Sequence, residues 1–144
     1  MAGLRCLVLL LALVLAAEAA QAAAQATNRA PRLIGGLRDA DVNEEGVKRA
    51  LNFAMVRFNQ GSNDRFASRV FEVLEAKKQI VAGVKYLFKV AIRRTTCSKS
   101  VNDFSNCPFH ESPQMKTPLI CSFSVYDIPW MNKTTLLDSE CLKN

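Results

Sequence analysis

The sequence predicts an α+β domain in which one long helix is laid across one face of an antiparallel sheet. Apolar residues recur with helical spacing in one segment, between residues 47 and 58. From Phe66 onward the apolar spacing changes to two, which is typical of strands with one buried face. A helix followed by several strands favours this architecture over alternating α/β units. The 144 residues are enough for one such domain and too few for two.

The N-terminal 24 residues predict a secretory signal peptide. Arg5 is followed by an apolar run at residues 7–17 and then by small residues in an alanine-rich pattern. This run is shorter than the roughly 20 residues that span a bilayer, so we predict no membrane anchor. We expect cleavage between Ala20 and Ala26. The mature protein is then one secreted, extracellular domain over residues 25–144.

The helix is predicted to lie between residues 41 and 61. Asp41 and Glu44 can form a capping box at its start, or Asn43 can cap it alone. Gly61 is expected to end the helix in a left-handed conformation. The stripe that should face the core consists of Val47, Ala50, Leu51, Ala54, Met55 and Phe58.

The strands follow in four apolar segments. "RVFEVLEAKK" alternates in polarity, and "LICSFSVYDI" and "TTLLDSECL" are bounded by turn residues. Between the second and third segments, residues 98–118 are rich in Ser, Asn and Pro and predict a long connection. The buried face of the second segment should consist of Val84, Tyr86, Phe88, Val90 and Ile92.

Four cysteines remain after the signal peptide, and an even number in a secreted chain predicts disulfides. Three pairings are open, and we favour Cys97–Cys107 with Cys121–Cys141 because each closes a short loop. No cysteine pair has zinc-ligand spacing, and the one histidine, His110, is expected in a surface loop, so we predict no metal and no cofactor. With the cysteines paired, no nucleophile remains beside that histidine, and we predict no catalytic residue and no enzyme.

The charge balance argues against a nucleic-acid-binding protein. Loss of Arg5 and Glu18 with the signal peptide reduces 19 basic and 13 acidic side chains to 18 and 12, so the net charge remains 18 − 12 = +6. The basic residues are scattered, and no basic run contains interleaved aromatic residues. We predict a solvated, mildly cationic surface with neither nucleic acid nor membrane as a partner.

Three apolar segments stand where exposed chain is expected. "RLIGG" at residues 32–36 is a short arm between a proline and two glycines, and "QIVAG" at residues 79–83 is a tight hairpin loop in which Gly83 supplies the special backbone conformation. "IPWM" places Trp130 after a proline in a turn. Each tip can fold back on the core, or project as an apolar wedge that fits a partner's cleft. The proline favours an interface role for Trp130.

Together these features resemble the type 2, secreted cystatins, which inhibit papain-like cysteine proteases. The resemblance extends from Arg32 to Asn144 and depends on "RLIGG", "GVKRALNFAM", "SNDRF", "QIVAG", the Pro-Trp pair and cysteine spacings of ten, fourteen and twenty. It implies the cystatin fold, a five-turn helix wrapped by a curved antiparallel sheet of four to five strands. It also implies reversible, tight-binding inhibition of cathepsins.

In this family a row of three elements blocks the protease cleft without offering a scissile bond. The implied protease-binding residues are Arg32, Leu33, Ile34 and Gly35 in the arm, Gln79, Ile80, Val81, Ala82 and Gly83 in the first hairpin, and Pro129 and Trp130 in the second. The alternative function is a non-inhibitory secreted cystatin-fold protein that acts as a binding or antimicrobial factor. The retained arm and loop motifs argue against it.

Some positions imply further properties or depart from the family. Asn63 in "SND" matches an asparagine that some relatives present to legumain, although it is also an ordinary residue for a helix exit. Arg93 stands where relatives usually have glycine, and Asp127 where the residue is more often uncharged. We expect Arg93 to alter the local strand geometry and Asp127 to alter protease preference.

Two further expectations concern the hairpin loops. "NKT" at Asn132 is an N-glycosylation sequon two residues after Trp130. Val81 is β-branched and therefore stiff, so in a tight turn it would store strain. Opening that turn would let a monomer convert into a domain-swapped dimer without the first hairpin, and such a dimer would not inhibit papain-like proteases.

Overall fold

The computed structural model describes Gly3 and residues 35–143, so the predicted cleavage region lies outside the described residues. The described chain forms a five-stranded antiparallel sheet, in the order β1-β2-β3-β4-β5, with a long helix packed on it. In this part of the chain no helix is both long and apolar enough to cross a membrane. The elements are β1 Arg38–Asp39, α1 Glu45–Gly61, β2 Phe66–Val81, β3 Gly83–Ser98, β4 Leu119–Ile128, a 3₁₀ turn Pro129–Met131 and β5 Lys133–Lys143.

Helix α1 has 17 residues and packs its predicted stripe on the sheet. Val47, Ala50, Ala54 and Met55 are buried, and Leu51 and Phe58 pack against the core as half-buried side chains. The stripe ends with a buried polar residue, Asn59. Its side-chain amide donates to the Ser68 carbonyl at 2.9 Å and its oxygen accepts from the Ser68 N–H at 2.8 Å. These two bonds attach the end of α1 to β2.

Both predictions for the helix ends are wrong. Glu44 is the N-cap but makes no side-chain capping bond, because its carboxylate instead binds the Lys78 ammonium at 2.7 and 2.9 Å. Asp41 accepts from the Asn43 N–H at 2.8 Å in a turn before the helix. Gly61 is still helical, and the helix ends because the next residue, Ser62, is extended. A long-range ion pair therefore replaces the local cap that the sequence suggested.

The sheet follows the predicted alternation. On β3, Tyr86, Phe88, Val90 and Ile92 are buried, and Val84 packs against them. Strand β2 has register shifts against β3 after Phe66, Val70 and Val73. Irregularities of this kind bend a strand and increase its twist, which lets the sheet follow the helix.

Both disulfides pair as predicted. Cys121 and Cys141 face each other across β4 and β5, with Cα atoms 4.1 Å apart. Cys97, at the end of β3, bonds to Cys107 in the connection that leads to β4. That connection, residues 99–118, is also held to β3 by a bridge between Thr95 and Phe109. The predicted long connection is therefore fixed at several points.

Candidate functional site

The first hairpin joins β2 to β3 and is tighter than the sequence predicted. The ladder continues to the pair Val81 and Gly83, so Ala82 is the one residue left outside it. Gln79 to Val81 are strand residues, not loop residues. Gly83 has a φ of +109°, a conformation open to glycine and strained for other residues. The predicted special role of Gly83 is confirmed.

The expected strain at Val81 has no support in the backbone. The positive φ belongs to Gly83, and Val81 has ordinary strand geometry in the final pair of the ladder. The prediction treated Gln79 to Gly83 as a loop, whereas the glycine lets the chain reverse within one residue. Ile80 is 42% exposed, and Ala82 is also exposed. The hairpin thus presents an apolar surface to solvent.

The second hairpin joins β4 to β5 through the 3₁₀ turn. Trp130 is 70% exposed and Met131 is 62% exposed, so neither side chain folds back on the core. Asn132 closes the turn with a φ of +52°, and its N–H donates to the Pro129 carbonyl at 3.1 Å. The tryptophan is therefore a surface residue, which agrees with the interface role that the preceding proline favoured.

The two hairpins lie side by side at one end of the sheet. Val84 of β3 comes directly after the first turn and pairs with Asp127 of β4, two residues before the second turn. The Tyr126 hydroxyl donates a hydrogen bond to the carbonyl oxygen of Ala82, the tip residue of the first hairpin. The second hairpin therefore helps to hold the first, and Tyr126 is a positioning residue that sequence reasoning missed.

The N-terminal arm reaches the same end of the sheet. The Gly35 N–H donates to the Ile80 carbonyl at 3.1 Å, and β1 then pairs with β2 at Lys77 and Lys78. Arg32, Leu33 and Ile34 lie outside the described residues. Of the predicted protease-binding residues, those from Gly35 onward are thus brought to one end of the sheet, in the order arm, first hairpin, second hairpin.

Tyr86 and Asp127 are polar side chains near the hairpin end of the sheet. Burial raises the pKa of the Tyr86 phenol, and the negative charges of Asp127 and Glu44 raise it further. The Asp127 carboxylate accepts a hydrogen bond from the Thr134 hydroxyl at 2.8 Å, across β4 and β5. Asp127 therefore places a carboxylate at the base of the two hairpins.

Asn63 lies at the opposite end of β2, in the turn that follows α1. The Asn63 side chain is exposed, whereas the residues on either side are fixed. The Asp64 N–H donates to the Ser62 hydroxyl at 3.0 Å, and the Ser62 carbonyl accepts from the Lys99 ammonium at 2.6 Å. Asp64 also forms an ion pair with Arg94. The turn therefore presents one asparagine from a well-supported backbone.

The charge of Asp64 is part of that support. Burial opposes ionisation of its carboxyl, but the Phe66 N–H and the Arg94 guanidinium outweigh this effect and lower the Asp64 pKa. The Phe66 N–H donates to Asp64 at 3.0 Å. The ionised carboxylate thus holds the end of the turn to the start of β2 and to β3.

Arg93 occupies a buried position on β3 that the sequence did not predict. The residue is 7% exposed, and its guanidinium carbon lies 4.9 Å from the ring centres of both Phe71 and Phe109. Its Nη2 donates to the His110 carbonyl at 3.0 Å. Arg93 pairs in register with Arg69, so the strand is not interrupted there. The arginine attaches the disulfide-bonded connection to the sheet.

His110 is less exposed than the sequence suggested. Its ring packs edge-on against Phe66 with centroids 4.4 Å apart, and the backbone N–H of His110 donates to the Arg94 carbonyl at 3.0 Å. The histidine therefore belongs to the packing of the connection on the sheet. Within residues 35–143, no group of three or more His, Cys, Asp or Glu side chains is arranged to hold a metal ion.

Comparison with known proteins agrees with this architecture. The family model for the cystatin domain matches residues 35–130. The chain belongs to the cystatin family. It is 50% identical to cystatin-C of Oryctolagus cuniculus over 137 residues, which are 94% of this chain and 93% of the relative. It is also 45% identical to cystatin of Gallus gallus over 141 residues, 98% and 99% of the two chains.

Solved structures of cystatins have the same fold. Dimeric human cystatin F matches with a TM-score of 0.72 and 28% identity, over 81% of this chain and 94% of that chain. The relatives place this protein among the type 2 cystatins, near cystatin C. Cystatins are cysteine protease inhibitors and not enzymes, which agrees with the prediction that this chain is not an enzyme.

Proposed function

We propose that this protein is a secreted, reversible and tight-binding inhibitor of papain-like cysteine proteases, the cathepsins among them. The arm at residues 32–35 and the two hairpins form a wedge that fills the protease cleft. The observation that carries the proposal is the exposed Trp130 on the second hairpin. The first hairpin, which Tyr126 holds, exposes Ile80 and Ala82 at the same end of the sheet. Aromatic anchors of this kind dominate binding energy at interfaces.

The magnitudes agree with tight binding. Burial of five apolar side chains at about 2 kcal/mol each provides about 10 kcal/mol. Association costs an estimated 4–15 kcal/mol, and nanomolar affinity needs about 12 kcal/mol net. Backbone hydrogen bonds and a preformed wedge must therefore supply the rest. The Tyr126 bond to Ala82 and the Gly35 bond to Ile80 provide such preorganisation.

Titration of active papain with the purified mature protein tests the proposal. We expect stoichiometric loss of activity at nanomolar concentrations, and a much weaker effect for Trp130→Ala. Leu142→Ala is the matched control, because Leu142 is 74% exposed but lies at the other end of β5. A flat activity curve at micromolar protein would reject inhibition and favour the alternative, a non-inhibitory binding or antimicrobial factor.

We further propose that Asn63 forms a second site, which inhibits legumain. Its support is an exposed asparagine on a turn that Ser62, Asp64, Arg94 and Lys99 hold in place. The turn precedes the first residue of β2, and the first hairpin of the wedge begins at the last residues of β2. At roughly 3.3 Å per residue, the 16 residues of β2 separate the two sites by up to about 50 Å. One molecule therefore has room for both proteases.

We propose that the active species is a monomer, and that a domain-swapped dimer is inactive against papain-like proteases. Straightening the chain through Ala82 would merge β2 and β3 into one strand and remove the first hairpin. Since Val81 has no positive φ, the proposal depends on loss of the hairpin and not on stored strain. Size-exclusion chromatography after mild warming tests it, and a dimer that inhibits papain as well as the monomer would reject it.

A further inference from the structure

The sequon asparagine lies beside the proposed wedge. Asn132 ends the 3₁₀ turn that carries Trp130, and Asn132 is exposed to solvent. A groove of about 480 Å³ separates this hairpin from helix α1. Pro129 and Asn132 line one side of the groove, and Asn52 and Phe53 of the helix line the other. A substituent on Asn132 therefore starts within the groove and next to the exposed tryptophan.

We propose that Asn132 is an N-glycosylation site and that its glycan regulates inhibition, so that the glycosylated protein is the weaker inhibitor. This inference depends on the proposed function of the wedge. A protease that closes over Trp130 must also exclude water from the surface around it. A bulky and hydrophilic glycan two residues away keeps that surface hydrated and obstructs the approach of the protease. The groove, with polar and aromatic side chains, accommodates the first sugars.

The modification requires a donor from the secretory pathway, a polyprenyl pyrophosphate that carries an oligosaccharide. The side-chain nitrogen of Asn132 forms a bond to C1 of the first sugar and loses one proton, which the departing pyrophosphate takes up in the net reaction. The bond from C1 to the pyrophosphate oxygen breaks, and the lipid pyrophosphate leaves with the electron pair. In the folded hairpin the Thr134 hydroxyl of the sequon is bound to Asp127 at 2.8 Å. Transfer therefore takes place before the hairpin folds.

The experiment uses the full chain, secreted from eukaryotic cells. Mass spectrometry before and after treatment with an N-glycan-removing amidase measures occupancy at Asn132. We expect a glycan on the parent and none on Asn132→Gly, a variant that tolerates the positive φ of +52°. The amidase leaves Asp at position 132, so Asn132→Gly provides the glycan-free protein without that added charge. Against papain, both glycan-free proteins should have inhibition constants about tenfold or more below that of the glycosylated parent, mainly through faster association.

A relocated glycan provides the matched control. Met115→Asn creates the same tripeptide, Asn-Lys-Thr, at residues 115–117. Met115 lies against Arg94, near the end of the sheet opposite the hairpin tips. In an Asn132→Gly background, a glycan at residue 115 should leave the inhibition constant for papain unchanged. Position, and not the mere presence of sugar, then explains the effect.

The outcomes separate the inference from the proposed function. A secreted parent protein without a glycan would overturn the modification site. An occupied site with an inhibition constant within about twofold of the deglycosylated protein would overturn the regulation. Equal weakening by the glycan at residue 115 would also overturn it. If deglycosylated and Asn132→Gly proteins both fail to inhibit papain, the proposed function is rejected, and the regulation that depends on it is rejected as well.

Discussion

A Cβ atom placed on Gly83 would lie 2.6 Å from the carbonyl oxygen of Asp127. The first hairpin therefore turns where a glycine fits directly against the strand that leads into the second hairpin. The same residue has a φ of +109°, so a side chain meets both a steric and a conformational penalty. This contact makes the shape of one hairpin depend on the other.

We predict that Gly83→Ala lowers the free energy of unfolding by about 1–3 kcal/mol and weakens papain inhibition, because the strained turn must shift away from Asp127. Chemical denaturation and inhibition constants measure the two effects. Gly61→Ala is the control, since a Cβ there meets no atom within 4 Å and the residue lies at the opposite end of β2 from the hairpins. If Gly83→Ala behaves like Gly61→Ala in both assays, the proposed role of the glycine is wrong.

Deletion of mature residues through Gly35 should increase the dissociation rate of the protease complex more than it decreases the association rate. We propose that the arm docks last and acts as a latch, and the deletion also removes the Gly35 hydrogen bond to Ile80. Stopped-flow association and displacement experiments measure the two rates. A shorter deletion that ends before residue 29 should change neither. An unchanged dissociation rate in the longer deletion would refute the assignment of the arm.

Tyr126→Phe should weaken papain inhibition by about fivefold, which corresponds to loss of about 1 kcal/mol from one hydrogen bond. The hydroxyl donates to Ala82, so its removal loosens the tip of the first hairpin without removing the ring. Ser122→Ala, an exposed position on the same strand, is the control. Equal inhibition constants for Tyr126→Phe and Ser122→Ala would show that the hydroxyl does not position the tip.

Asn63→Ala should abolish legumain inhibition and leave papain inhibition intact. The reason is that Asn63 and the hairpin tips lie at opposite ends of β2. Titrations of each protease alone, and of one in the presence of the other, provide the measurement. Asn102→Ala changes another exposed asparagine and should affect neither. Loss of both activities in a folded Asn63→Ala protein would mean that the chain has a single site.

Arg93→Ala should lower the free energy of unfolding by about 2–4 kcal/mol, because it removes two cation–π contacts and a charged hydrogen bond from a buried position. Papain inhibition by the folded variant should be unchanged, since Arg93 contacts the connection near Cys107 and not the hairpins. Arg57→Ala is the control, because Arg57 is exposed and lies 6.0 Å from a single ring. Equal destabilisation by both substitutions would contradict this account.

The sequence by itself determined the fold class and the core faces, and it favoured the observed disulfide pairing among three open ones. Periodicity predicts which side chains face inward, and Tyr86, Phe88, Val90 and Ile92 are buried as predicted. The need for a positive φ at Gly83 was also readable from the tight turn. The periodicity and the turn are local, so a short stretch of sequence contains the physical reason for each of them. Asn59 could have been found in the same way, because it continues the apolar stripe of the helix.

The tertiary structure alone decided the features that depend on partners distant in sequence. Glu44 binds Lys78 instead of capping its helix, and Tyr126 bonds to Ala82, 44 residues away. Arg93 is buried because Phe71 and Phe109 approach it from two other segments. Such contacts are decided by competition between local bonds and distant partners, which strand register and helix docking bring within reach. No local pattern of residues contains that information.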